Sequence, residues 1–158
     1  MIDERVDWDA GPRGAFWGPF IALHTRGEAT MRCAASMVEN VLAALGPGER
    51  IGALRIVDHS THAHAELGDD LLSTATFHRF ARTLDGLTPH FASDGFVHLL
   101  GCQTGLNTCL LRRLARLWGV PVFAGRGETN GFELNYGGWV RVCPEGRFQG
   151  GVGWPRHA

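Results

Sequence analysis

The chain contains no lysine: all fifteen of its strongly basic side chains are arginine. That absence excludes a Schiff-base mechanism and the phosphate-binding lysine of a P-loop. Codon usage in a GC-rich genome would account for the bias without invoking function. Net charge is equally scarce, at −1, so there is no basic footprint for nucleic acid and no polybasic surface for acidic lipid. No run approaches the roughly 20 apolar residues that cross a bilayer. No Gly-x-Gly-x-x-Gly follows an early strand and no Gly-x-Ser-x-Gly elbow occurs. The four cysteines, Cys33, Cys102, Cys109 and Cys143, form no Cys-x-x-Cys pair. Met1-Ile2-Asp3-Glu4-Arg5 is acidic, and no apolar segment of signal-peptide type follows. Free thiols in a reducing compartment are therefore expected, either in the cytoplasm or in an effector delivered without a classical signal peptide. Nothing calls for a cofactor, a nucleic acid or a membrane partner.

What is present is an alternation of strand-like and helix-like segments across 158 residues, a length that suits one domain. Residues 1–14 read as an irregular lead-in. Residues 20–24, preceded by Phe16 and Trp17, give a short first strand that ends in His24. Met31, Ala34, Ala35, Val38, Val41, Leu42 and Leu45 then follow helical spacing, and Gly46-Pro47-Gly48 stops the helix. Ala53-Leu54-Arg55-Ile56-Val57-Asp58 is a strand leading to His59, and residues 59–70 read as a histidine-rich loop. Phe77, Phe80, Ala81, Leu84 and Leu87 mark a second helix, for which Thr74 is the candidate cap.

Phe96-Val97-His98-Leu99-Leu100-Gly101 is the next strand and runs into Cys102. Leu106, Leu110, Leu114, Leu117 and Trp118 line a third helix that Gly119 closes. A fourth strand covers Val120 to Ala124. Residues 138–148 alternate with period two around Pro144-Glu145-Gly146 and predict an antiparallel hairpin. Strands alternating with helices predict a three-layer α/β sandwich with a mainly parallel sheet. The C-terminal hairpin is appended to it, and residues 1–158 form a single domain.

In an open α/β sheet, chemistry collects outside the carboxyl ends of the strands. His59 and Cys102 stand at two such ends, and a thiol beside an imidazole makes a nucleophile and its base. Cys102 precedes a glycine-flanked turn into a helix, whose N-terminal partial charge would favour a thiolate. Backbone amides in the two loops, at Ser60 and at Cys102, could hold an oxyanion. Cys33 and Cys109, on helical faces, read as core thiols.

The stretches Leu54-Arg55-Ile56-Val57-Asp58-His59-Ser60 and Val97-His98-Leu99-Leu100-Gly101-Cys102-Gln103-Thr104-Gly105 together resemble caspase-like (clan CD) cysteine peptidases. The likeness is greatest to bacterial caspase-like and CHAT-type domains, and it runs over residues 51–123. His59 and Cys102 lie 43 residues apart, near the roughly 50 of caspases. The resemblance implies a caspase- or flavodoxin-like fold, His59 as base and Cys102 as the nucleophile that attacks a peptide carbonyl. The glycine that follows the histidine in that family is Ser60 here. Glu128, in the loop after the fourth strand, is the candidate for contacting a protein or peptide substrate.

Two alternatives stand beside this reading. One is a catalytically inactive caspase-like module that binds a protein partner. The other is a zinc-dependent hydrolase built on His59, His62, His64 and Glu66.

Overall fold

A computed structural model describes residues 2–3, 30–129 and 134–153. The strand expected at residues 20–24, together with His24, lies outside them. Two short strands, β1 (Ile2–Asp3) and β2 (Thr30–Met31), pair in parallel. Helix α1 (Ala34–Ala44) follows. It starts at Ala34 because Cys33 caps it: the sulfur accepts the Ser36 N–H at 3.4 Å, and Ser36 Oγ accepts the Cys33 N–H at 3.1 Å. Cys33 is thus a half-buried cap and Cys109 is exposed, so neither is the core thiol expected.

Strand β3 (Ile51–Ile56) comes next. Residues 59–70 are not a plain loop. They fold into a hairpin of β4 (His64–Leu67) and β5 (Asp70–Ser73), in which Leu67 pairs with Asp70 across Gly68 and Asp69. Gly68 takes a φ of +63°, and a Cβ there would lie 2.0 Å from the Arg32 carbonyl oxygen, so glycine is required twice over. Helix α2 (Phe77–Asp85) has Thr76 rather than Thr74 at its N-cap position. Thr74 instead donates its hydroxyl to Asn107 Oδ1 at 3.2 Å. Strand β6 (Phe91–Leu99), helix α3 (Thr108–Trp118) and strand β7 (Val122–Gly125) follow, and Gly119 ends α3 with a φ of +69°. The predicted hairpin is β8 (Trp139–Val142) and β9 (Phe148–Val152).

The main sheet has the order β3-β6-β7-β8-β9. The pairings β3–β6 and β6–β7 are parallel, whereas β7–β8 and β8–β9 are antiparallel. The fold is therefore α/β with a mixed sheet, because the hairpin continues the sheet from β7 instead of standing apart. Alternation along the strands sends Leu54, Ile56, Val97, Leu99, Val122, Ala124, Val140 and Val142 to one face. They share a single buried core with Met37 and Val38 of α1, Leu84 of α2, and Leu110, Leu111, Leu114 and Trp118 of α3. Among the described residues all three helices lie on this face, so no helical layer of a three-layer sandwich is described on the other.

The opposite face carries a row in register across all five strands, Arg55, His98, Phe123, Arg141 and Gln149. His98 is fully buried there, with its ring 4.5 Å from that of Trp139. Burial first, and the Arg55 charge second, push its pKa down to about 3.

Candidate active site

The site is set by where β3 and β6 end. Ile56 pairs with Leu99, and the Leu100 N–H donates to the Ile56 carbonyl at 2.8 Å. His59 and Cys102 each stand three residues beyond that pair, at matching positions in neighbouring loops. Those loops touch. A Cβ on Gly101 would lie 2.2 Å from Ser60 Oγ and 2.4 Å from Asp58 Oδ1, so only glycine permits the approach. The Ser60 hydroxyl donates to the buried Asp58 carboxylate. A second tie comes from Asn107, whose Nδ2 donates to the Ala63 carbonyl at 3.1 Å. Ser60 thus buries a hydroxyl, and Asp58 satisfies it.

His59 is exposed and Cys102 is half-buried. Their loops are brought together, but the sulfur is hydrogen-bonded to Thr129 and not to the imidazole. The Thr129 N–H donates to Cys102 Sγ at 3.5 Å, and the thiol faces the Thr129 carbonyl at 4.0 Å. The expected helix N-terminus does not follow directly. A one-turn 3-10 segment (Thr104–Leu106) intervenes, α3 begins at Thr108, and Asn107 Oδ1 accepts the Leu110 N–H at 3.1 Å. Asn107, at a φ of −87° and a ψ of 68°, is not helical and separates that turn from α3, while Gln103 ahead of the turn is left-handed with a φ of +59°. Among the described residues, the amide of Thr129 is the donor that reaches the sulfur.

The two amides expected to hold an oxyanion have no hydrogen-bond acceptor among the described residues. The bridge between Ser60 and Ala65 is closed by flanking groups, the Thr61 N–H to the His64 carbonyl at 2.9 Å and the Glu66 N–H to the His59 carbonyl at 3.1 Å. Among the described residues nothing accepts from the Ser60 or Cys102 N–H.

The loop after β7 makes the third wall. Its Gly127 carbonyl accepts the Gln103 N–H at 2.8 Å. Glu128 is exposed, next to the residue that contacts the sulfur. Asn135 ties this loop together, and neither Asn135 nor Thr129 was expected from the sequence. The available signal was an asparagine in a glycine-rich stretch, Gly125 to Gly138, that also holds Asn130.

The histidine-rich segment does not converge on one point. His64 Nε2 lies 3.4 Å from Glu66 Oε1, and its Nδ1 lies 3.5 Å from Thr61 Oγ1. His62 is exposed. Among the described residues no three His, Cys, Asp or Glu side chains are grouped to hold a metal ion. No helix among them is long and apolar enough to cross a membrane.

These features define an α/β domain with a cysteine and a histidine at adjacent strand ends. Residues 27–143 match the family described as Domain of unknown function (DUF4347), and the chain belongs to that family. No curated protein and no solved structure matches it.

Proposed function

We propose that the protein is a caspase-like cysteine hydrolase, a peptidase with Cys102 as nucleophile and His59 as base. The observation that carries this reading is the matched placement of the two residues beyond the Ile56–Leu99 pair. The N–H groups of Ser60 and Cys102, which have no acceptor among the described residues, support it, because an oxyanion hole needs donors that the fold has not already used. In this reading the Cys102 proton passes to His59 as sulfur bonds to the peptide carbonyl carbon. The two amides bind the resulting oxyanion. The C–N bond then breaks as His59 returns the proton to the leaving amine, and water activated by His59 hydrolyses the thioester. Glu128 faces the incoming peptide. The proposed architecture is a caspase- or flavodoxin-like sandwich, and the proposed setting is a reducing cytoplasm, which suits four free cysteines.

The unmade bond between His59 and Cys102 favours the inactive module that binds a protein partner as the second reading. Catalytic hydrogen bonds often tighten only with substrate, so geometry without a ligand does not decide between them. The deciding experiment alkylates the purified protein with iodoacetamide at neutral pH and follows Cys102 by mass spectrometry. The same preparation is incubated with a peptide library. The hydrolase reading expects cleavage that Cys102→Ala abolishes and that His59→Ala slows by about 10²-fold or more. It also expects Cys102 alkylation to slow in His59→Ala. Unchanged alkylation in that variant, together with no cleavage, overturns the hydrolase and leaves the binding module.

A further inference from the structure

The side chain of Asn135 is used to its full capacity. A carboxamide has two donor protons and two acceptor lone pairs. Asn135 Oδ1 accepts from the Gly127 N–H at 2.8 Å and the Gly137 N–H at 2.9 Å. Its Nδ2 donates to the Gly127 carbonyl at 2.8 Å and to Thr129 Oγ1 at 2.9 Å. The backbone is cleared for it: a Cβ on Gly125 would lie 2.0 Å from Asn135 Nδ2, and one on Gly127 would lie 2.4 Å from the Gly137 nitrogen.

Both residues held by the Nδ2 donor act on the cysteine. Thr129 presents its N–H to the sulfur. Gly127 presents its carbonyl to the N–H of Gln103, the strained residue that follows Cys102. A left-handed non-glycine residue persists only where its surroundings over-determine it. Here the Gly127 carbonyl is one of the groups that hold it.

We infer that Asn135 is a positioning residue for the Cys102 thiol. It fixes Thr129 so that an amide donor meets the sulfur, and it fixes Gly127 so that the turn at Gln103 aims Cys102 into the space between the loops. A donor held on sulfur favours the thiolate, the form that reacts. This inference rests on Cys102 being the reactive thiol of the proposed site, but its test does not use peptidase activity.

The test is competitive alkylation with iodoacetamide, with three cysteines read in one sample. Exposed Cys109 reports the reagent and buried Cys143 reports the fold. In Asn135→Ala the ratio of Cys102 to Cys109 labelling should fall about tenfold, as expected for losing a held hydrogen bond to a charged group. Cys143 should stay protected. A purely structural role moves the labels the other way, since loosening exposes Cys143 and speeds Cys102. Thr129→Val keeps the backbone donor and removes one of the four carboxamide bonds, and it should lower the same ratio by a smaller factor. It carries the test if Asn135→Ala does not fold. An unchanged or raised ratio in the folded variants overturns the inference and leaves the Cys102–His59 pairing untouched. A lowered ratio without any peptide cleavage upholds the inference while the hydrolase reading fails.

Discussion

The two faces of the central sheet are built from different chemistry. The helix-covered face sets aliphatic side chains, from Leu54 and Ile56 to Val140 and Val142, against the helices in an apolar core that includes Trp118. The other face puts Arg55, His98, Phe123 and Arg141 side by side across β3, β6, β7 and β8. Contacts between these side chains hold it: the Phe96 and Phe123 rings meet edge-on at 5.6 Å, and the Arg141 guanidinium lies 5.7 Å from the centre of the Phe123 ring. Apolar burial makes the first face insensitive to pH. The second face buries the imidazole of His98, which makes its contribution to stability depend on pH. Leu99 and His98, adjacent on one strand, separate the two effects.

The largest effect is expected on the helix side. Leu99 is 1% exposed within the core, so Leu99→Ala removes packed volume that its neighbours only partly refill. The cost should be about 3 kcal/mol, read as a shift in urea midpoint, and it should be equal at pH 7 and pH 5. A loss under about 1 kcal/mol would show that this face collapses around cavities and is not the stability-bearing half.

His98 should give the opposite pattern. Its pKa falls from 6.5 to about 3 on folding. Between those values the unfolded chain holds a proton that the folded one does not. Stability from this group is therefore fully present above pH 6.5 and declines as pH falls toward about 3. From pH 7 to pH 5 the loss should be about 2 kcal/mol. Replacing the imidazole in His98→Phe should remove that increment from the pH dependence, whatever it does to stability at pH 7. An identical pH 7-to-5 loss in both proteins would refute the assignment.

How far each region could be read from sequence follows the same physical division. Gly119, the glycine and proline after α1, and the alternation around Pro144-Glu145-Gly146 are local signals. The elements they bound were legible because local geometry decides them. The β4–β5 hairpin was missed although Gly68-Asp69 is a two-residue hairpin signal, because three histidines and two aspartates nearby made the segment read as polar loop. The sheet was expected to be mainly parallel, but β8 and β9 join β7 edge to edge, and period-two alternation does not say which strand a hairpin pairs with. At the site, His59 and Cys102 were legible as strand-end residues. Asn135, Thr129 and Asn107 were not, since their roles depend on contacts between loops far apart in sequence.

A second comparison is offered by two left-handed residues on either side of α3. Gly119 has a φ of +69° with nothing within 4 Å of where a Cβ would sit, so Gly119→Ala isolates backbone conformation. It should cost about 1 kcal/mol in thermal or urea unfolding. Gln103 takes a φ of +59° with a side chain already in place, in the loop that carries Cys102. Gln103→Gly relieves the strain but frees the unfolded chain, so its gain should be smaller, about 0.5 kcal/mol. If Gln103→Gly destabilises instead, the side chain holds the loop and its contacts outweigh the backbone strain. If it stabilises while the labelling ratio of Cys102 to Cys109 falls, the strain serves to aim the thiol, and stability has been given up at the one turn where the candidate nucleophile is presented.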